Sequence, residues 1–348
     1  MKPLFLFARQ PSFESEWPFV PERMAARLSE FGEVHVLKAS REPLHRQADL
    51  SEVWGLVWFG GAFTPECVAA AARLRAVGGI TDNAGYGLPV EALAAREIPF
   101  IDATRAWAQS VGETALGLAL GALRQIPHWH GRMARGEPLW QYPYAQFCDN
   151  PDFVNGDLGT KQVGVIGLGA IGSRVARWCV ALGSTVRGFD PFVPEERVHG
   201  WGVEPVSLDR LVDESEVLFV LVPPTPSAKH LLNRERIGRL RKGALVVAVT
   251  RAHAIDMAAL RERILADELA GAFDVYDVEP LSPDDPLRGR ANVVHTPHIA
   301  GRTRDANLRV ADVIADDFAR ILRGKPPQAV LTPEAMRVRT EVVAVPET

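Results

Sequence analysis

The segment that most limits how this chain can fold is Gln162-Val163-Gly164-Val165-Ile166-Gly167-Leu168-Gly169-Ala170-Ile171-Gly172. A short apolar strand runs into a G-x-G-x-x-G turn, and a helical run over residues 173–182 follows. That order is the start of a βαβ unit, which calls for parallel strands with helices on the sheet faces. Gly167 would make the tight turn, Gly169 would let the backbone approach a pyrophosphate, and Gly172 would let helix and strand pack closely. The amides that open the helix, from Ala170 and Ile171 onward, would face the anion. The next strand, 185–189, ends at Asp190, where a carboxylate accepts hydrogen bonds from an adenosine ribose. A carboxylate there repels a 2′-phosphate, so NAD is the expected cofactor and NADP the disfavoured one. A glycine motif alone is weak; strand, helix and acid in this order make it specific.

The same rhythm extends along the chain. Residues 4–8, 34–37, 53–59 and 99–101 read as buried strands, and 22–31, 65–76 and 89–96 as helices between them. From residue 161 six more strands are expected, at 163–166, 185–189, 217–222, 245–249, 272–275 and 293–294. Residues 303–323 form an amphipathic pattern stopped by Gly324-Lys325-Pro326-Pro327. With 348 residues the chain has room for two cores. Between the two βα runs, Gly112, Gly117 and Gly121 sit inside a helical pattern, where each costs roughly 1 kcal/mol against alanine. Close packing against another helix, that of a second subunit included, is the expected reason. Residues 127–156, rich in Trp, Tyr and Pro, read as an excursion, and the residues from 331 as a loose tail.

Composition narrows the function. A formal net charge of −4 gives no basic field for nucleic acid or an anionic membrane surface. Cys67, Cys148 and Cys179 are too few and too far apart for a disulfide framework or a metal site. No apolar stretch is long enough to span a bilayer, and the start lacks the pattern of a signal peptide. A cytoplasmic enzyme without a metal is the expectation.

Three later segments fall where strands of the dinucleotide sheet should end, and ligands bind at such carboxyl ends. They hold Thr250-Arg251, Asp274-Val275-Tyr276-Asp277-Val278-Glu279-Pro280-Leu281 and Thr296-Pro297-His298. Reducing a 2-keto acid needs a fixed cation for its carboxylate and carbonyl, and a proton donor for the forming alkoxide. Arg251 suits the first task through its planar fork. His298 suits the second, because an ordinary histidine titrates near neutrality. Glu279 can orient the imidazole and favour its charged form. Singly, each reads as a surface charge or a turn residue; in order behind the glycine motif they read as a site.

These segments, together with Val222-Pro223-Pro224-Thr225-Pro226, resemble the D-isomer-specific 2-hydroxyacid dehydrogenases, the family of phosphoglycerate dehydrogenase and glyoxylate/hydroxypyruvate reductase. The resemblance runs from about residue 77 to 327. It implies Arg251, Glu279 and His298 as the catalytic set, Asp274 on the nicotinamide carboxamide, and Pro223 and Thr250 along the cofactor. It also implies a Rossmann-type doubly wound parallel-sheet domain, 106–301, inserted into a smaller flavodoxin-like α/β substrate domain, 1–105 with 302–330. Residues 331–348 are left as tail. Two chain crossings would make a hinge that closes over the substrate and excludes water. The glycine-bearing helix and its arm would form a homodimer. The substrate carboxylate would lie on the amides of Gly78 and Gly79, in a loop over 75–80.

The chain departs from the family in two places. Ala248 and Ala252 replace the residues that usually flank the arginine, and Ala103-Thr104-Arg105-Ala106-Trp107 replaces a T-P-x-x-N segment. Trp107 is therefore expected at the cleft or hinge, with a place in the core as the alternative, and no formate-site pattern surrounds it. Arg302 and Arg304 could reach a second anionic group, or simply be a solvated helix start. The rival of another class is an NAD(H)-sensing binding protein of the corepressor type, which keeps the same fold and catalytic residues.

Overall fold

The computed structural model describes residues 2–80, 87–139 and 149–340. The chain divides into two compact units, Met1–Trp107 with Arg302–Thr348, and Ala108–Gly301.

The first unit opens with strand β1 (Leu4–Arg9), the four-residue helix α1 (Phe13–Glu16), helix α2 (Val20–Ser29) and strand β2 (Glu33–Lys38). Helix α3 (Leu44–Gln47), strand β3 (Val53–Phe59), helix α4 (Pro65–Ala70), strand β4 (Ala76–Gly79), helix α5 (Val90–Ala95) and strand β5 (Phe100–Asp102) follow. The sheet order is β2-β1-β3-β4-β5, all parallel, as in flavodoxin. Alternation along β1 builds two cores: Leu6 and Ala8 face one, with Trp58 and Leu93, while Phe5 and Phe7 face the other, with Met24 and Leu28. Strand β4 corrects the sequence reading, which carried a helix through residue 76 and made 75–80 a loop. Two glycines in four residues hide a strand from any propensity argument. Their reason is contact: a Cβ on Gly78 would come within 2.5 Å of Ile314, and one on Gly79 within 2.6 Å of the Trp58 carbonyl.

The second unit opens with helices α6 (Ala108–Leu123) and α7 (Ile126–Ala134), so part of the expected excursion is regular helix, with Pro127 in its first turn. Residues 140–148, Cys148 among them, lie outside the described residues. Strand β6 (Gln162–Ile166), helix α8 (Gly172–Ala181), strand β7 (Thr185–Phe189), helix α9 (Glu195–His199), strand β8 (Glu204–Pro205) and helix α10 (Leu208–Glu214) come next. Strand β9 (Val217–Val220), helix α11 (Arg234–Arg239), strand β10 (Leu245–Ala248), helix α12 (Met257–Leu265) and strands β11 (Ala270–Phe273) and β12 (Val293–His295) complete it. The order β12-β11-β10-β9-β6-β7-β8 is that of a doubly wound dinucleotide fold, reversing between β6 and β9. Strands β9, β10 and β11 are buried along their whole length, as expected for parallel strands covered on both faces. Side chains of Ser207, Asn233 and Asp256 cap α10, α11 and α12. Two-residue β8, an edge strand, was not visible in the sequence.

Helices α13 (Arg304–Leu322) and α14 (Pro333–Thr340) return to the first unit. Thr303 caps α13, whose Ile314 and Phe318 are fully buried; each such side chain contributes about 1.5–3 kcal/mol. Phe318 stacks on Phe5 with ring centroids 5.7 Å apart. Helix α14 corrects the expectation of a loose tail from 331. The Thr332 hydroxyl caps it, Met336 is buried against the first unit, and Arg337 pairs with Glu91. Residues 341–348 lie outside the described residues.

Candidate active site

The glycine turn of the second unit has the geometry an anion needs. Gly167 has φ +86°, and a Cβ there would meet the Leu221 carbonyl at 2.8 Å. A Cβ on Gly172 would lie 1.8 Å from the Gly167 carbonyl, so the start of α8 is pressed onto the turn. Around Gly169 a Cβ would meet nothing within 4 Å. The amides of Gly169, Ala170 and Ile171 donate to no group among the described residues. This is an open cradle of N–H groups beside a helix start, and it fits a pyrophosphate. Arg174, which sequence reasoning passed over, reaches back to the Ala170 carbonyl and sets a cation beside the turn.

Asp190 follows β7 and is half-buried. One carboxylate oxygen accepts from the Leu168 amide at 2.7 Å and the other from the Phe192 amide at 2.9 Å. It therefore braces the glycine turn while keeping acceptor sites for a ribose. Arg187, on the same strand, is bound to Gln162, Glu204 and Glu214 and is committed there.

At the ends of β10, β11 and β12 the three singled-out side chains come together. His298 Nδ1 lies 2.6 Å from Glu279 Oε2, and Glu279 Oε1 accepts from the Tyr276 amide at 2.8 Å. Burial pushes the Glu279 carboxyl up, but the hydrogen bonds from His298 and the Tyr276 amide, with the charges of His298 and Arg251, hold it below the usual carboxylate range. The carboxylate is thus ionised at neutral pH and accepts from Nδ1–H, which leaves Nε2 as the free ring nitrogen. His298 is 41% exposed at its side chain, open enough to meet a ligand. Its backbone has φ +53°, a left-handed conformation costly for a residue with a Cβ. Arg251 is half-buried, with Nη1 on the Thr250 carbonyl at 2.8 Å. Thr250 Oγ1 in turn donates to the Val222 carbonyl at 3.2 Å, and Pro223 follows, exposed.

Asp274 is fully buried, and its carboxylate accepts from Thr296 Oγ1 at 2.6 Å, the Ile299 amide at 2.9 Å and the Ala300 amide at 2.8 Å. It pins both sides of His298. Sequence spacing carried no signal for this, since the partners lie more than twenty residues on. With three of about four acceptor sites filled, little remains for a carboxamide.

Other expectations fall differently. Gly78 and Gly79 lie within a strand laddered to β3 and β5, and their lack of side chains is accounted for by packing. Gly112 packs on Trp178 of its own unit, while Gly117 faces open space. The Trp107 ring lies tilted against Trp17 with centroids 5.0 Å apart, and Arg304 lies over Phe19. His253 and His295 are held below the ordinary histidine range, chiefly by burial, and each has a buried Nδ1 without a partner among the described residues. No described helix is long and apolar enough to cross a membrane.

Comparison with known proteins gives a consistent picture. The family described as "D-isomer specific 2-hydroxyacid dehydrogenase, NAD binding domain" matches residues 116–300. A D-3-phosphoglycerate dehydrogenase of Archaeoglobus fulgidus is 37% identical over 265 residues, 75% of this chain and 48% of that protein. A glyoxylate reductase of Korarchaeum cryptofilum is 27% identical over 92% of this chain and 96% of its own length. Among solved structures, a phosphoglycerate oxidoreductase from Rhizobium etli superposes with a TM-score of 0.80 at 25% identity, covering 95% of this chain and 98% of the other. The chain spans about half the length of the phosphoglycerate dehydrogenases it matches. These relatives are named as oxidoreductases, which lends the sensing alternative no support.

Proposed function

This chain belongs to the D-isomer specific 2-hydroxyacid dehydrogenase family, and from that premise we propose that it interconverts a small 2-keto acid and its D-2-hydroxy acid using NAD(H). The bound nicotinamide would supply or take the hydride at C2. Arg251 binds the carboxylate and polarises the carbonyl through its fork. In reduction, His298 gives its Nε2 proton to the carbonyl oxygen as the alkoxide forms; in oxidation the neutral ring takes that proton back. Glu279 holds Nδ1–H and stabilises the charged ring. Gly167, Gly169, Ala170, Ile171 and Gly172 hold the pyrophosphate, Asp190 the ribose, and Pro223 and Thr250 line the cofactor. Asp274 serves chiefly to position His298. Asp190 favours NAD over NADP.

The observation that carries the reading is the 2.6 Å contact of His298 Nδ1 with an ionised Glu279, within the field of Arg251. The test is NADH oxidation with glyoxylate, hydroxypyruvate, a branched 2-keto acid and a phosphorylated 2-keto acid. At least one should turn over, and none should with His298→Ala. Tight NADH binding without turnover of any of them would refute the reading.

A further inference from the structure

The first unit carries a buried cation that the proposed reaction does not use. Arg9 is the last residue of β1 and is only 8% exposed. It shares a sheet face with Phe5 and Phe7, and its guanidinium carbon lies 5.9 Å from the Phe7 ring centre. Nη1 pairs with Glu14 Oε1 at 2.6 Å, but Nε is shut from solvent and has no acceptor among the described residues. A buried donor of a charged group left without an acceptor is costly, so a fork half used is an arrangement that calls for one.

The place is also the one where an open α/β sheet takes ligands. In the order β2-β1-β3-β4-β5 the strand order switches between β1 and β3, and ligands lie outside the carboxyl ends there. Gly60 and Gly61 follow β3 directly, and a Cβ on Gly60 would lie 2.3 Å from the Gln10 amide nitrogen. The end of β3 is thereby held by backbone alone against the residue that follows Arg9. Glu14, on the short α1, is 62% exposed at its side chain and is held chiefly by Arg9, with a weaker attraction from Lys38. Among the described residues it is the one carboxylate paired with the guanidinium, and its exposure lets it swing away.

We propose that the β1/β3 crevice of the first unit is an oxyanion site, in which Arg9 takes a carboxylate or phosphate through Nε and a terminal nitrogen, and Glu14 stands in for it when none is bound. The matching chemistry is a planar, bidentate acceptor, which suits guanidinium better than a point cation. The site stands apart from the oxidoreductase reading, because binding is read without turnover.

The experiment is calorimetric titration of malonate and, separately, inorganic phosphate into the full chain saturated with NADH, which fills the glycine turn. Parent, Glu14→Ala, Arg9→Gln and Arg251→Gln are compared. Glu14→Ala, at an exposed position that leaves the fold intact, should tighten binding roughly three- to five-fold by removing the competitor. Arg9→Gln should weaken it about ten-fold or more, whereas Arg251→Gln removes the carboxylate contact of the proposed active site and should leave the Glu14-sensitive binding in place. The tighter of the two probes identifies the anion as carboxylate or phosphate. Binding of neither probe, unchanged affinity in Glu14→Ala, or loss of all binding in Arg251→Gln overturns the proposal.

Discussion

Replacing Asp274 by asparagine tests how the loop bearing His298 is held. The carboxylate receives three hydrogen bonds, two on one oxygen and one on the other. An asparagine of the same shape keeps at most the pair on its carbonyl, from Thr296 and Ile299. Its NH2 then faces the Ala300 amide, donor against donor, in a site with no solvent. The loss combines one unsatisfied buried donor, about 1–3 kcal/mol, with weaker bonds to a neutral acceptor, so about 2–4 kcal/mol in all. The urea midpoint should fall with unchanged slope, which reports stability alone. Because His298 holds a left-handed backbone between these anchors, kcat should also drop, by ~10-fold or more, since misplacement by an ångström can cost about 100-fold. Thr296→Val removes one donor and should cost only about 1 kcal/mol. An asparagine variant with the parent's midpoint and kcat would refute the reasoning.

The other expectations concern charge. Arg251→Lys keeps the charge and loses the fork, so kcat/KM should fall roughly 100-fold with NADH binding intact, as steady-state kinetics and a binding titration would show. Asp190→Ala removes the proposed ribose acceptor and the brace on the Leu168 amide. Both dinucleotides should bind more weakly, and the expected 10- to 100-fold preference for NADH should shrink; Kd values for each decide it. Keto-acid reduction consumes a proton and should slow as pH rises, oxidation releases one and should do the reverse, and Glu279→Gln, which removes the acceptor of Nδ1–H, should lower kcat in both directions. Glu279 is depressed, so its support is present above the usual carboxylate value of about 4.3 and lost only as pH falls through its own. His253 and His295 are also depressed, so the folded state holds fewer protons than the unfolded. Their contribution to stability is full above about pH 6.5 and lost as pH falls below it. The urea midpoint should decline from that pH downward, less steeply in His295→Gln.

How far the sequence could be read depended on distance along the chain. The glycine turn and Asp190 lie within one βαβ unit, so period and spacing specify them, and their contacts follow from local geometry. Arg251, Glu279 and His298 were found because each lies in a segment that follows a strand, and the pairing of Glu279 with His298 was read from their chemistry; the clamp of Asp274 on 296–300 was not visible. Strand β4 was missed because its glycines answer to Ile314 and Trp58, far away in sequence or on a neighbouring strand. Helix α14 was missed although Thr332-Pro333-Glu334 is a readable start signal, because a polar end of chain reads as tail.

The return of α13 to the first unit has a consequence for the order in which the chain matures. As residues leave the ribosome, β1 to β5 are complete long before Ile314 and Phe318 exist. The sheet face formed by Phe5, Val57 and Ile101 must wait with only α2 to cover part of it while the whole dinucleotide unit is made. That second unit is continuous in sequence and can close its own core first. The first unit matures last, and a nascent chain paused between residues 107 and 302 presents an apolar surface of the kind that chaperones hold.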